Sequence, residues 1–251
     1  MADGLLAGER ALVTGAGSGI GRGIAAALAA EGAAVAISDL PALREAALAA
    51  VPGAVFLPAD LADRAAPGAL FAAAEAALGG VSILVHSAAP RRAESQTALA
   101  VTEAEWDAMI DINLRAGFVL GRAAGRAMRA AGKGGKMLFV TSLHAETPRN
   151  LPHYSAAKAG LTMLTRELAR ALAPDGIRVN AIAPGAIPGG GFAADVEAFS
   201  RIIPMRRPGT AADIAGMAVA LLCDRFSGYV TGTTVAVDGG LALYNWIPAA
   251  G

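Results

Sequence analysis

Residues 11–21 read Ala-Leu-Val-Thr-Gly-Ala-Gly-Ser-Gly-Ile-Gly, so a short apolar run leads directly into a glycine-rich turn. Gly15, Gly19 and Gly21 fall between a predicted strand and a predicted helix. Glycine at such positions allows a tight turn and lets the backbone approach a pyrophosphate, which the positive N-terminus of the helix then attracts. The stretch therefore predicts a strand–turn–helix unit that binds a dinucleotide.

The rest of the chain alternates short apolar runs with alanine-rich stretches that are long enough for helices. The predicted strands are 11–14, 34–38, 54–58, 83–86, 137–141, 177–181 and 234–237. The predicted helices are 19–31, 43–50, 64–78, 102–131, 154–173 and 210–224. Continuous apolar strands separated by helices predict an α/β fold with a parallel sheet that is covered on both faces.

Composition narrows the range of functions. Of the 251 residues, 55% are hydrophobic and 17% charged, and the formal net charge is zero, so nothing favours nucleic acid or an anionic membrane as a partner. The single cysteine and the three histidines lack the spacing of metal ligands, and no metal is predicted. The N-terminus does not resemble a signal peptide, and no charge-free apolar run approaches the roughly 18 residues that span a bilayer. We therefore expect a soluble, cytoplasmic protein.

Residues 184–208 interrupt the alternation with prolines, three consecutive glycines and a short apolar helix. Such a segment, late in an otherwise regular fold, is typical of a mobile lid over a site. The alternative interpretation is a disordered surface insertion.

Tyr154 and Lys158 are four residues apart in a predicted helix, so their side chains leave the same face. Of the 21 basic residues only Lys133, Lys136 and Lys158 are lysines, which indicates that position 158 requires a compact ammonium. An ammonium about 4 Å from a phenol stabilises the phenolate by about 4 kcal/mol at an effective dielectric near 20. The pair predicts a tyrosine that acts as general base when an alcohol is oxidised and as general acid in the reverse reaction.

The second predicted strand is followed by Asp39, 18 residues beyond Gly21. A carboxylate at this point can accept hydrogen bonds from the adenosine ribose hydroxyls and would repel a 2′-phosphate. NAD is therefore the predicted cofactor, and NADP is less favoured.

Several motifs occur in the order, and near the spacing, of the classical short-chain dehydrogenase/reductases, which the chain resembles over essentially its whole length. They are Thr14-Gly-x-x-x-Gly-Ile-Gly21, Asp60-Leu61, Asn113, Ser142, Tyr154-x-x-x-Lys158, Pro184-Gly185 and Val237-Asp-Gly-Gly240. The resemblance implies a single Rossmann-type domain over residues 1–251, a doubly wound seven-stranded parallel sheet, a nicotinamide cofactor and a homotetramer.

The resemblance also implies roles for individual residues. Lys158 would bind the nicotinamide ribose, Ser142 would hydrogen-bond the substrate oxygen, and Asn113 would hold a water that links the lysine to solvent. In relatives that use NADP, a basic residue typically stands where Ser18 or Leu40 stands here, which again favours NAD. The predicted cofactor-binding residues are Gly15, Ser18, Gly19, Ile20, Gly21, Asp39, Asp60, Leu61, Ser87, Ala88, Ala89, Tyr154, Lys158, Pro184, Gly185 and Ile187.

The chain departs from the family pattern at three places. His86-Ser-Ala-Ala89 replaces the usual Asn-Asn-Ala-Gly, so the hydrogen bonds that stabilise this segment must be made differently. Pro188-Gly189 stands where a threonine of the family usually contacts the carboxamide of the nicotinamide. Ser142 precedes Tyr154 by 12 residues instead of 13, which leaves Thr141 as an alternative for its role.

The loop between Ser142 and Tyr154 resembles the corresponding loop of glucose 1-dehydrogenases in this family. Its polar residues His144 and Arg149 are predicted to contact the substrate, because each sugar hydroxyl needs a hydrogen-bond partner. A sugar or polyol is therefore favoured over a 3-oxoacyl thioester, a steroid or another ketone. Arg91 and Arg92, which follow the fourth strand, are interpreted as a solvated pair rather than as ligands for an acidic substrate.

A non-catalytic, nucleotide-binding regulatory module is the alternative from a different class of protein. Such proteins usually lose the tyrosine or the lysine, whereas this chain keeps Asn113, Ser142, Tyr154 and Lys158.

Overall fold

A computed structural model describes residues 4–93, 95–189 and 196–243. Its strands are β1 (Arg10–Thr14), β2 (Ala34–Asp39), β3 (Val55–Pro58), β4 (Ile83–His86), β5 (Gly135–Val140), β6 (Ile177–Pro184) and β7 (Thr234–Val237). All pairings are parallel, and the strand order is β3-β2-β1-β4-β5-β6-β7. The predicted seven-stranded parallel sheet is confirmed.

Helices connect these strands. They are α1 (Gly19–Ala30), α2 (Arg44–Ala50), α3 (Ala66–Leu78), α4 (Glu103–Ile110), α5 (Ala116–Ala131), α6 (Pro152–Leu172), α7 (Val196–Ile202), α8 (Ala211–Leu222) and α9 (Asp224–Ser227). A π-helical turn, Asp111–Arg115, joins α4 to α5.

The helices cover both faces of the sheet. On one face α1 and α8 pack together, with Ile24 and Ile214 in a shared apolar core. On the other face α3, α5 and α6 contribute Phe71, Leu120 and Leu161 to a second core. The central strands β1, β4, β5 and β6 are almost wholly buried, as expected when a parallel sheet has no solvent-facing side. The doubly wound, Rossmann-type architecture is confirmed.

The helix predicted over 102–131 begins where the sequence indicates, because Thr102 and Glu105 form a reciprocal capping box. Its continuity was predicted wrongly. At Asp111–Arg115 the backbone amide of Ala116 donates to the carbonyl of Asp111, five residues back, instead of four. One extra residue is therefore accommodated in a single turn, and that turn carries Asn113.

The strand order places the candidate site. From β1 the chain continues through β2 to β3 on one side, and it then crosses back to β4 on the other side of β1. In open parallel sheets such a reversal opens a crevice beyond the carboxyl ends of the strands. The glycine turn follows β1 at this point, and Asp39, His86 and Ser142 stand at or just beyond the ends of three other strands.

The segment predicted as a lid, 184–208, includes the end of β6 and all of α7, which accounts for the expected short helix. Residues 190–195 of that segment lie outside the described residues. Over the described ranges, no helix is both long and apolar enough to cross a membrane.

Candidate active site

A cavity of about 1280 Å³ lies beyond the carboxyl ends of the strands. Sites for a single small ligand occupy roughly 300–1,000 Å³, so this cavity is larger than one small ligand needs. Every predicted cofactor-binding, catalytic and substrate-binding residue lines it except Asn113. The sequence positions that were chosen for chemical reasons therefore converge on one space.

The glycine turn forms the floor of one half of the cavity. Gly15 has a φ of +68°, and a Cβ on it would lie 2.6 Å from the backbone of Ala88. A Cβ on Gly21 would lie 2.1 Å from the carbonyl oxygen of Gly15. Both positions thus admit only glycine, and the backbone amides at the start of α1 stay open to an anionic group.

Asp39 closes the far end of this half. Its carboxylate accepts hydrogen bonds from the backbone amides of Gly17 and Leu40, each at 2.8 Å. These bonds hold one carboxylate next to the glycine turn. The described residues that line this end are Ser18, Ser38, Asp39, Leu40, Leu43, Asp60 and Leu61, and none of those seven is basic.

Tyr154 and Lys158 occupy the other half, on the N-terminal part of α6. The Nζ of Lys158 lies 5.5 Å from the centre of the Tyr154 ring and donates a 2.7 Å hydrogen bond to the carbonyl of Val140. Only 2% of Lys158 is exposed. Burial, and then the nearby charge of Arg92, lower the pKa of Lys158 to about 7. The two side chains predicted to share a helix face do share it.

The two candidate hydroxyl groups after β5 have different environments. The Thr141 hydroxyl donates to the carbonyl of Ile182 at 2.9 Å, which ties it to β6. The Ser142 oxygen accepts from the backbone amide of His144 at 3.2 Å, so its own proton stays available for another acceptor. The geometry therefore favours Ser142 over Thr141 as the group that contacts a substrate.

One cationic and one aromatic side chain pack against the Tyr154 ring. The guanidinium carbon of Arg92 lies 4.3 Å from the ring centre, and Arg92 is half-buried whereas Arg91 is exposed, so the expectation of a solvated pair holds for Arg91 and not for Arg92. The His144 ring packs edge-to-face against the same ring at 5.6 Å. Burial, and then the charges of Arg149 and Arg92, lower the pKa of His144 to about 4. His144 is therefore a neutral imidazole at neutral pH, able to donate or accept a hydrogen bond.

Asn113 lies behind the cavity wall instead of on it. It is fully buried, and its side-chain amide donates to the carbonyl of Met109 at 3.0 Å. Its Oδ1 has no hydrogen-bond partner among the described residues. A buried, unsatisfied amide oxygen next to the site fits an ordered water, which is the group that Asn113 was predicted to hold.

His86 is the residue that the sequence did not identify. It replaces the first asparagine of the family motif, and its imidazole contacts both Thr14 and the π-helical turn. Thr14 and His86 are paired in the register of β1 and β4. The one sequence feature that could have indicated this contact is that each of these two apolar strands ends in a polar residue.

Comparisons with known proteins agree with this geometry. A family model described as enoyl-(acyl carrier protein) reductase matches residues 15–242. 3β-Hydroxysteroid dehydrogenase 1 of Eggerthella lenta is 39% identical, over 95% of this chain and 95% of its own. Galactitol 2-dehydrogenase of Agrobacterium fabrum is 34% identical, over 94% of this chain and 97% of its own.

Solved structures give the same result. A blue fluorescent protein from a metagenomic library, crystallised in complex with NADPH, superposes with a TM-score of 0.86. It is 34% identical and covers 94% of this chain and 99% of its own.

A Rossmann-type sheet with a glycine turn and a paired tyrosine and lysine at its switch point defines an oxidoreductase that uses a nicotinamide cofactor. The chain belongs to the short-chain dehydrogenase/reductase family, and it acts on CH–OH groups.

Proposed function

We propose that this protein transfers a hydride between NAD and a secondary alcohol of a sugar or polyol. The observation that carries the proposal is the cavity itself, where Tyr154, Lys158 and Ser142 line one half and the glycine turn and Asp39 line the other. Because a hydride and a proton leave the same CH–OH group, the reaction requires these two halves to adjoin in one cavity.

The residues present fit a dinucleotide. The glycine turn and the first amides of α1 would hold its pyrophosphate, and Asp39 would accept bonds from the adenosine ribose. Ser87, Ala88 and Ala89 would line the adenosine side, and Ile187 would approach the carboxamide. When bound, the nicotinamide supplies the acceptor or donor of the hydride.

The chain's own residues handle the proton. The Tyr154 oxygen takes the hydroxyl proton of the alcohol during oxidation and returns it to the carbonyl oxygen during reduction. The Ser142 hydroxyl donates a hydrogen bond to the same substrate oxygen and stabilises the charge that develops there. Lys158, when protonated, favours the phenolate through its positive charge.

Polar groups in the substrate half support a polyhydroxylated ligand. His144, Arg149 and Asn150 all line the cavity, and the neutral His144 can pair with a hydroxyl in either direction. The 34% identity to a galactitol 2-dehydrogenase supports the same class. A thioester or steroid alcohol is the second candidate, favoured by the similarity to 3β-hydroxysteroid dehydrogenase 1.

The decisive experiment is a substrate panel that follows the absorbance of the reduced nicotinamide. Galactitol, galactose, glucose and sorbitol should be oxidised with a kcat/KM at least tenfold above that for 3-hydroxybutyryl-CoA or a 3β-hydroxysteroid. The Tyr154→Phe protein serves as the blank. A higher kcat/KM for the thioester or steroid would select the second candidate, and dinucleotide binding without turnover of any alcohol would favour a regulatory module.

The preference for NAD rests on charge. A 2′-phosphate would face the Asp39 carboxylate with no basic residue among the described residues that line that end. The repulsion between two unit negative charges about 5 Å apart, at an effective dielectric near 40, costs roughly 1.7 kcal/mol. We expect kcat/KM to be at least tenfold higher with NAD than with NADP, since about 1.4 kcal/mol corresponds to a factor of ten.

Asp39→Ala combined with Leu40→Arg should reverse this preference, because it exchanges a negative charge for a positive one next to the ribose. Asp39→Asn, which keeps the shape but not the charge, should give an intermediate ratio. Equal kcat/KM values for the two cofactors in the unaltered protein would contradict the proposal.

A further inference from the structure

His86 is the last residue of β4 and only 1% of it is exposed. It does not line the cavity, so it contacts neither a substrate nor a cofactor there. Its ring packs edge-to-face on Phe139 at 6.3 Å. A buried polar ring in an apolar sheet must have its hydrogen-bonding groups satisfied, because leaving one unpaired costs free energy.

Both ring nitrogens of His86 have partners. Nδ1 lies 2.9 Å from the hydroxyl oxygen of Thr14, and Nε2 lies 3.1 Å from the backbone carbonyl oxygens of Ile112 and Asn113. A carbonyl can only accept, so Nε2 carries the proton and donates. In the neutral ring Nδ1 is then the acceptor, and the Thr14 hydroxyl donates to it. The surroundings specify one tautomer.

Both carbonyls that accept from His86 belong to the π-helical turn. A turn with one inserted residue leaves one backbone carbonyl without the amide that an α-helix would supply. Ile112 and Asn113 lie in the middle of Asp111–Arg115, where the ladder shifts from four-residue to five-residue spacing. The Nε2–H group of His86 gives these two carbonyls a hydrogen-bond donor from outside the helix.

The neighbouring helix leaves room for the imidazole. A Cβ on Gly117 would lie 3.2 Å from Cδ2 of His86 and 3.0 Å from a methyl group of Leu161. Gly117 stands in the first turn of α5, directly after the π-helical turn. The ring is therefore enclosed by β1, β4, β5 and α5, and it has little freedom to adopt another position.

We infer that His86 is a positioning residue of the active site, which fixes the π-helical turn carrying Asn113 against the strand end that begins the glycine turn. One imidazole thus links the two halves of the cavity from behind: Thr14 precedes Gly15, and Ile112 lines the cavity wall. The inference depends on the proton-transfer chemistry of the family and not on which alcohol is the substrate.

The first test removes the hydrogen bonds. His86→Phe keeps an aromatic ring but neither nitrogen, and we expect kcat to fall 10- to 100-fold, the loss typical of a displaced reacting geometry. The dissociation constant of the dinucleotide should stay within about threefold, because the glycine turn keeps its backbone. A kcat within twofold of the unaltered protein, or an equal loss of dinucleotide affinity and kcat, would overturn the inference.

A second test crowds the ring without altering it. Gly117→Ala places a methyl group 3.2 Å from His86, whereas Gly125→Ala on the same helix meets only Leu172, at 3.0 and 3.2 Å. Both changes gain the same helix propensity. Gly117→Ala should lower kcat at least threefold and Gly125→Ala should not; the same effect from both would contradict a role for His86. This pair keeps the inference testable if His86→Phe does not fold.

A third test observes the tautomer without any turnover. ¹⁵N NMR of histidine-labelled protein should show His86 with a protonated Nε2 and an unprotonated Nδ1 at neutral pH. Thr14→Val should weaken this preference and lower kcat, and Thr14→Ser should restore both. A protonated Nδ1 in the unaltered protein, or Val and Ser variants that behave alike, would overturn the inference.

Discussion

Lys158 is a buried lysine, and the burial of its charged form lowers the free energy of unfolding. The pKa of Lys158 is lowered from 10.5 to about 7, mainly by burial. Between those two pH values the unfolded chain binds a proton that the folded protein does not, so the free energy of unfolding rises with pH. Below pH 7 the protein bears the full cost of the buried charge, and above 10.5 none of it.

Lys158→Met should therefore stabilise the protein at pH 7 while it abolishes turnover. Measured by urea denaturation from pH 7 to 9, the difference in unfolding free energy between the variant and the unaltered protein should shrink by about 1.4 kcal/mol per pH unit. Lys133→Met removes an exposed lysine and should leave that slope as it is. Parallel curves for Lys158→Met and the unaltered protein would show that Lys158 stays protonated in the folded protein over this pH range, and that burial does not lower its pKa to about 7.

Tyr154 is predicted to be the proton-transferring group, and its hydroxyl can be removed with little change of shape. Tyr154→Phe should lower kcat at least 100-fold, the lower range of general acid–base catalysis. The dinucleotide affinity, measured by calorimetry, should stay within about threefold. Tyr229→Phe, which alters a fully exposed tyrosine, is the matched control. Retention of more than about a tenth of kcat by Tyr154→Phe would exclude this role.

At the scale of one element, the turn between β1 and α1 depends on close backbone contact. Gly15 and Gly53 both have a positive φ, +68° and +83°, but only Gly15 has a neighbour that a Cβ would strike. Gly53→Ala should lower the free energy of unfolding by about 1–2 kcal/mol, the cost of a left-handed alanine. Gly15→Ala should lower the free energy of unfolding by more than this, and it should weaken dinucleotide binding at least tenfold.

The comparison between the two variants separates strain from steric exclusion. Gly53→Ala should bind the dinucleotide as the unaltered protein does, since no atom lies within 4 Å of its new methyl group. Equal stability losses and unchanged dinucleotide affinity in both variants would mean that the Gly15 turn tolerates a side chain.

At the scale of the whole molecule, one outer surface is unusually apolar. Trp106 on α4, Phe118 on α5 and Met163 on α6 are 42%, 43% and 52% exposed. α6 packs against both α4 and α5, and all three helices contact the π-helical turn, so the three side chains belong to neighbouring elements. We propose that this surface is an interface between copies of the chain, within the homotetramer that the family resemblance implies.

Light scattering of Phe118→Glu combined with Met163→Glu should show a smaller assembly than that of the unaltered protein at micromolar concentration. Buried carboxylates at a twofold interface would each face the same charge on the partner. Val55→Glu, which alters a 38% exposed residue on the edge strand β3, is the control and should not change the mass. A monomeric unaltered protein would exclude the proposal.

Local pattern in the sequence was sufficient for the sheet and for most of the cavity. Strands such as Ile83–His86 are short apolar runs bounded by polar or turn residues, and a parallel α/β topology follows from their alternation with helices. Gly15, Asp39 and Tyr154 were identifiable because each function depends on residue type at a fixed spacing. The carboxyl ends of parallel strands then bring such positions together.

Tertiary structure decided the features that depend on contacts between distant residues. Thr14 and His86 are separated by 72 residues and His86 and Ile112 by 26, so no local pattern reveals that one imidazole joins them. The π-helical turn has the same apolar pattern as the helices on either side of it. The hydrogen bond that it accepts from His86 comes from strand β4. The placement of Arg92 over Tyr154 and the lowered pKa of Lys158 arise from burial and nearby charge. Spacing along the chain defined which residues carry the chemistry; packing in three dimensions set their orientation and protonation.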